Sequence, residues 1–361
     1  MTWFMPPFAM HMANELLSVP VAAVTLAAAG VVVAIASRRA RQAAGDDRLP
    51  LMGVMGAFVF AAQMVNFTLP GMPGTSGHLG GGVLLAILLG PAAGIVTMAT
   101  ILIVQCLLFQ DGGLLALGCN ILNLGVVPCL LGWAVYRTAL GPAARAAAWR
   151  QYLAAWVACL AGVTAGAAMV PIEAAASGVL QVPIRQFLGV MIGVHLAIAL
   201  FEGAATFAVI AYLRRVRPEL MGLEPVGLPA DTQRPGYRIV ITSLLVTALL
   251  LAGVVSWFAS AWPDGLEWSC REDRYGAAEK VVLNQSPLVA AVDRWQGRWS
   301  PMTDYARRER PLGQPPAEAA AQKAAWPNLD GWRSLAGLLG TIVTLSILYG
   351  ASQWMRKPAR P

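Results

Sequence analysis

Predominantly apolar stretches of about 17–25 residues, long enough to cross a bilayer as a helix, recur along the chain and dictate its fold. They fall at about 20–37, 51–69, 92–110, 115–136, 152–175, 187–212, 238–260 and 333–354. With 57% hydrophobic and only 12% charged residues, the chain is outside the range of soluble domains. The expected fold is all-α, a polytopic transmembrane bundle of about eight spans. One run, 79–90, is too short to cross at ~1.5 Å per residue. It is bounded by Gly80-Gly-Gly82 and Gly90-Pro91 and reads as a short or broken helix whose non-helical ends line a cavity.

Arginine placement predicts orientation. Arg38, Arg39, Arg41 and Arg48 follow the first span, and Arg137, Arg145 and Arg150 lie between the fourth and fifth. Arg214, Arg215 and Arg217 follow the sixth, and Arg356, Lys357 and Arg360 end the sequence. If the short run counts as one crossing, all four clusters fall on one side, the cytoplasmic one by the positive-inside rule. The N-terminus, the 70–78 loop and the 261–332 segment are then outside, and the C-terminus is cytoplasmic. The net charge of +7 therefore marks orientation, not nucleic-acid binding.

Residues 218–237 form a polar linker rich in proline and glycine between a membrane domain, 1–217, and a two-span domain, 238–361. Residues 1–10 carry neither a charge nor a cleavage site, so they do not read as a secretory signal. Met10, followed by His11-Met-Ala, offers an alternative start. The five cysteines form no C-x-x-C pair, which gives neither a zinc site nor a disulfide framework.

The stretch Pro70-Gly-Met-Pro-Gly-Thr-Ser-Gly-His78-Leu-Gly-Gly-Gly82 carries the chemistry. Its prolines stop the preceding helix. A non-helical loop at membrane depth must be packed against protein or line a site. His78 reads equally as a capping residue and as a ligand. His11 and His78 fall on the same predicted side, and imidazole suits nickel, cobalt, copper and zinc. Two histidines are too few for an ordinary catalytic zinc site. If Met10 is the mature terminus, its free amine, the His11 backbone nitrogen and the His11 imidazole can chelate one ion. His78 then supplies a fourth nitrogen, a set that suits Ni(II) or Cu(II).

His195 and Glu202, seven apart, share one helix face, either as a polar lining beneath the site or as a structural pair. Glu173 reads as structural. Asn120 and Asn123 either position the metal loop or bridge helices, and Thr75 and Ser76 belong to the loop itself. Ala23, Ala27, Gly30 and Ala34 recur at helical spacing in the first span, for internal packing or for docking another membrane subunit. No G-x-x-x-x-G-K-[ST], H-E-x-x-H or nucleophile elbow occurs. ATP use through a P-loop and covalent catalysis thus have no visible machinery.

These residues resemble the CbiM/NikM family, the substrate-specific membrane subunits of cobalt and nickel energy-coupling-factor transporters. The resemblance lies in Met10-His11-Met-Ala, Gly74-Thr-Ser-Gly-His78-Leu, Ala86-Ile-Leu-Leu-Gly-Pro91, Gln105, Leu108-Phe109, Asp111-Gly-Gly113 and Asn120-Ile-Leu-Asn123. It covers about residues 10–217. Pro263-Asp-Gly-Leu-Glu267 and Ser300-Pro-Met-Thr-Asp-Tyr305 resemble the PDGLE/CbiN-type small subunit.

The resemblance implies a metal-capturing subunit in the cytoplasmic membrane of a bacterial-type cell. Its partners are a transmembrane coupling (T) subunit, cytoplasmic ATPases and membrane lipid, and its substrate is Co(II), with Ni(II) as the alternative. It carries the ligand roles onto Met10, His11 and His78. Nine residues precede Met10 here, so the start is misassigned, the extension is removed, or metal is held differently. A membrane sensor without transport, and a membrane enzyme, are the competing classes. With no histidine and one cysteine, Cys270, the 261–332 segment is expected to gate or load the site, not to bind the ion.

The arginine pattern predicts that single cysteines at positions 141 and 222 are labelled only from the cytoplasmic side, and one at position 293 only from outside. Labelling of 293 from the cytoplasm alone overturns the orientation.

Overall fold

The computed structural model describes residues 11–43, 48–141, 147–217, 237–271, 275, 281, 284, 286–305 and 326–355. Eleven helices account for most of them: α1 (Val19–Ala43), α2 (Arg48–Gln63), α3 (Gly82–Leu89), α4 (Pro91–Phe109) and α5 (Leu117–Leu140), then α6 (Ala148–Ala176), α7 (Ile184–Val216), α8 (Tyr237–Gly253), α9 (Gly265–Ser269), α10 (Pro287–Trp299) and α11 (Gly331–Met355). Among the described residues, six helices are long and apolar enough to span a membrane: α1, α4, α5, α6, α7 and α11. The expected spans at 51–69 and 238–260 are shorter apolar helices, Leu51–Gln63 and Arg238–Gly253. The first is cut short because the chain leaves the helix after Gln63 to enter a two-stranded hairpin.

That hairpin pairs β1 (Phe67–Thr68) with β2 (Ser76–Gly77), Phe67 opposite Gly77 and Thr68 opposite Ser76. It folds the 70–74 loop back on itself and delivers His78 to the bundle interior. The short run expected at 79–90 is α3, a single helix of eight residues. Gly90 then turns the chain into α4, whose first residue, Pro91, occupies a position where its missing N–H costs no hydrogen bond.

α5 is wound as a π-helix over Ile121–Val126 and Pro128–Gly132. Pro128 has no N–H for the regular ladder, and widened turns of this kind cluster at functional sites. The widening presses the Asn123 carbonyl against Gly166 of α6, where a Cβ would collide with that oxygen. Two faces of the bundle close over a core rich in Leu, Val, Met and Ala, with Phe60 and Phe109 fully buried. α11 and α8 from the C-terminal region pack on α2. Gly340 lies against the Phe60 ring, and Leu345 and Leu348 lie against Gly53 and Gly56.

Three arginines of the predicted clusters make contacts in the bundle. Arg41 lies over the Trp354 ring at 5.3 Å. Arg150 Nε donates to the Ala139 carbonyl at 3.2 Å, and Arg214 donates to Gln151. α1 turns Ala22, Ala29, Ala36 and Ala40 to the core. Ala23, Ala27, Gly30 and Ala34 lie exposed on its opposite face with Val24, Val31 and Ile35. Internal packing therefore does not account for that stripe.

Gly166→Val is expected to push α6 off the widened turn of α5 and to cost about 1–3 kcal/mol, as overpacking does. Thermal unfolding of purified protein in detergent checks this, with Gly30→Val, which meets no atom within 4 Å, as the neutral comparison.

Candidate metal centre

His11 lies just ahead of α1 and is 2% exposed. Its ring lies 5.6 Å from that of His78, centroid to centroid, at 66°. Residues 94 apart in sequence hold it: His11 Nε2 lies 2.9 Å from Gln105 Oε1. Its other ring nitrogen, Nδ1, is buried with no hydrogen-bond partner among the described residues.

The backbone beside His11 is clamped by one amide side chain. Asn120 Oδ1 accepts from Met12 N at 2.9 Å, and Asn120 Nδ2 donates to the Met12 carbonyl at 3.1 Å. Gly113 N donates to the same carbonyl at 2.9 Å. Gly112 adopts φ +89°, and a Cβ there would lie 2.9 Å from Asn120 Nδ2 and 3.1 Å from His11 Cβ. Glycine is required at this position by both its conformation and the close approach. Asn123 Nδ2 donates to Glu173 Oε2 at 2.7 Å and lies 3.6 Å from Met12 Sδ. Asn120 thus clamps the backbone that follows His11, whereas Asn123 joins α5 to α6 through Glu173.

The His78 side is anchored from α7 and α2. Glu202 accepts from Gly80 N at 2.7 Å and from Gly81 N at 3.0 Å, and the Gly80 carbonyl accepts from Gln63 Nε2 at 2.7 Å. His78 Nδ1 lies 3.2 Å from the Leu79 carbonyl. His195 Nδ1 is 2.8 Å from the Met191 carbonyl. His195 and Glu202 therefore bond to backbone groups on separate elements, and both line the cavity containing His11 and His78. That cavity has a volume of about 70 Å³, room for an ion and a water or two.

The C-terminal domain closes this cavity directly. Asp264, Gly265 and Leu266 form part of its wall. Ser76 N donates to the Pro263 carbonyl at 2.8 Å, Ser76 Oγ to the Trp262 carbonyl at 2.7 Å, and Thr75 Oγ1 to the Pro263 carbonyl at 3.3 Å. Thr75 and Ser76 thus fasten the histidine loop to the fused domain. Asp264 caps α9 by accepting from Glu267 N at 2.7 Å. Burial, reinforced by the Glu267 charge, raises its carboxyl well above the usual range.

Sequence reasoning missed Gln63, and it included Gln105, Met12, Gly112, Asp264 and Leu266 only within the motifs of a resemblance. A signal existed for the glutamines, because uncompensated polar side chains inside apolar spans are costly. Among the described residues, no three His, Cys, Asp or Glu side chains gather to hold a metal. Met10 lies outside the described residues.

Six apolar helices of membrane-spanning length around a cavity lined by a buried histidine, His11, and a half-buried one, His78, define a multi-pass membrane protein with a small internal polar site. The family model described as "Cobalt uptake substrate-specific transmembrane region" matches residues 11–220, and the PDGLE domain model matches 238–357. The chain belongs to the CbiM family, fused to a PDGLE domain, and is a multi-pass metal transport protein, not an enzyme.

A putative fused nickel transport protein of Archaeoglobus fulgidus is 36% identical over 86% of this chain and 88% of its own. A fused nickel transport protein of Rhodobacter capsulatus is 31% identical over 84% and 91%. The crystal structure of a transition metal transporter aligns with a TM-score of 0.50 at 29% identity, covering 57% of this chain and 93% of its own.

The N-terminal segment is held from outside too. Asn14 Nδ2 donates to Asp293 of α10 and, at 3.2 Å, to Gln296 Oε1. Asn284 N donates to the Glu15 carbonyl at 2.7 Å. Burial first, and then the Asp293 charge, raises the Glu15 carboxyl from 4.5 to about 7. An acid whose folded pKa is raised binds more protons folded than unfolded, so this contact loses stability as pH rises from about 4.5 to 7. Thermal stability is expected to fall across that window, and Glu15→Gln is expected to flatten the fall. An unaltered pH profile in the variant overturns the assignment.

Proposed function

We propose that the chain is the ion-capturing membrane subunit of an energy-coupling-factor transporter. The donor set consists of the Met10 α-amine, the His11 backbone nitrogen, His11 Nδ1 and His78. The observation that carries this reading is the bare, buried Nδ1 of His11, on a ring whose centroid lies 5.6 Å from that of His78. Two imidazoles alone make a weak site for a divalent ion. An α-amine, with an ordinary pKa of ~7.7–8.0, deprotonates readily on metal binding. The same amine turned into an amide by residues 1–9 is a poor ligand, so the working protein begins at Met10.

Four nitrogens suit Ni(II), and two relatives that are themselves fused proteins carry nickel in their names. This weighs toward Ni(II) over the Co(II) expected from sequence. Residues 1–217 form the capture domain and 238–361 the part that gates it, joined by the 218–237 linker. Support comes from the fused domain, which reaches the cavity wall with a capping aspartate and bonds to the histidine loop through its backbone. His195 and Glu202 line the inner path. The exposed stripe of Ala23, Ala27, Gly30 and Ala34 docks the coupling subunit, which works with cytoplasmic ATPases. The hairpin faces outward and the arginine clusters face the cytoplasm.

Purified protein is expected to begin at Met10 by intact mass and to retain Ni(II) or Co(II) by metal analysis. His11→Ala, His78→Ala and an uncleaved tag before Met10 are each expected to abolish retention. Full retention by a chain verified to begin at Met1 overturns the amine ligand. Uptake into vesicles only when ATPase and coupling subunits are present separates transport from sensing.

A further inference from the structure

A chain of hydrogen bonds runs from the His78 loop to His11, and its polarity is set at one end. The Gly80 carbonyl can only accept, so the Gln63 Nε2 that lies 2.7 Å from it donates. Gln63 therefore turns its Oε1 toward Gln105, which donates to it through Nε2 at 2.9 Å. Gln105 Oε1 is then the atom that meets His11 Nε2 at 2.9 Å, so His11 carries its proton on Nε2. Nδ1 is left with its lone pair, and it is the nitrogen without a partner.

A group from the fused domain stands beside this amide. Tyr305 donates through Oη to Asp111 Oδ2 at 2.6 Å, with its hydroxyl next to the Gln105 side chain. Gln105 Nε2 donates to Gln63, and its carbonyl is left for His11. Flipping this amide would break both contacts. Tyr305 is itself tightly placed: its ring stacks on Phe109 at 4.6 Å and 15°, and it has φ +57°, next to Asp304 at φ +53°. Non-glycine residues hold that conformation only where their surroundings impose it.

We infer that Gln105 is a positioning residue that locks His11 in the Nε2–H tautomer, and that Tyr305 is the fused domain's contribution to the metal centre, acting through Gln105. The consequence is chemical. A backbone nitrogen and Nδ1 of the same histidine close a six-membered ring around a metal, whereas Nε2 points away from its own backbone. An Nε2–H tautomer presents Nδ1 ready for that ring, and a hydrogen bond from the distal N–H raises the basicity of the ligating nitrogen. The fused domain thereby affects metal capture without ligating the ion. This deepens the capture reading proposed above and rests on it.

The test uses the full chain in nanodiscs, labelled with 15N-histidine, with the His11 signals assigned by their loss in His11→Ala. Imidazole nitrogen shifts read the tautomer in the absence of metal, and titration with Ni(II) reads affinity. The wild type is expected to show His11 protonated on Nε2 alone. Gln105→Met keeps bulk but removes the acceptor, so it should mix the two tautomers and weaken Ni(II) binding about 10–100-fold, as loss of a partner behind a metal ligand does.

Gln105→Glu restores an acceptor toward His11 and should return the Nε2–H form. Tyr305→Phe keeps the stacked ring and removes the hydroxyl beside the amide, so it should mix the tautomers while the protein stays monodisperse. It also provides the test if Gln105→Met does not fold. A wild-type His11 protonated on Nδ1, or an unmixed tautomer with unchanged affinity in both Gln105→Met and Tyr305→Phe, overturns the inference. A wild type that binds no Ni(II) but shows the expected tautomers instead refutes the capture reading and leaves the positioning role standing.

Discussion

The structure depends on a carboxylate that holds a loop. Gly80 and Gly81 lie where the chain is neither strand nor helix, inside an apolar bundle, and their N–H groups have no water to turn to. Glu202 supplies both acceptors from the middle of α7. An unpaired backbone group buried in such a setting costs about 1–3 kcal/mol, and an unpaired carboxylate more. Loop and helix therefore stabilise each other, and removing either partner strands the other. The start of α3, the place of His78 and the Gly80 carbonyl that receives Gln63 all follow from this pairing.

From that anchor the polar groups extend as one connected set through a core that is otherwise Leu, Val, Met and Ala. Gln63 joins α2 to the loop, Gln105 joins α4 to Gln63 and His11, and Asn120 joins α5 to the backbone of Met12. Buried polar networks stabilise when their members are satisfied and are costly otherwise. Among the described residues, two of the unsatisfied atoms, His11 Nδ1 and Asn123 Oδ1, belong to residues that line the cavity. A site that binds a cation needs lone pairs held in reserve, and leaving them unpaired in the protein is how a fold provides them.

The fused domain completes this arrangement. Its first turn after α8 caps the cavity through Trp262 to Leu266, α10 brackets the N-terminal segment through Gln296, and Tyr305 reaches Asp111. Gln296 Nε2 alone donates to the carbonyls of Cys106 and Gly112, at 3.0 and 2.8 Å. α10 thus substitutes for water around the turn between α4 and α5, which explains how a loop beginning Gln110-Asp-Gly-Gly113 is buried.

The sequence by itself determined the membrane class, most of the spans and the two histidines that line the cavity. Each is written in local composition or short spacing: apolar length for a bilayer, glycine where a loop must enter. It also placed Thr75, Ser76, Asn120, Asn123, His195 and Glu202 near the site, because a polar residue in an apolar span needs a partner.

Only the tertiary structure decided who those partners are. Thr75 and Ser76 reach the fused domain, and Glu202 takes two amides instead of His195. The first-span alanines left undecided by sequence lie on an outer face because α1 turns a different set of alanines inward. Gln63 and Gln105 pair across 42 residues, and Tyr305 meets Asp111 across 194. Periodicity and propensity act over one helical turn or one strand pair. Hydrogen bonds between distant elements exist only once packing has brought them within 3 Å, and that distance is a property of the fold.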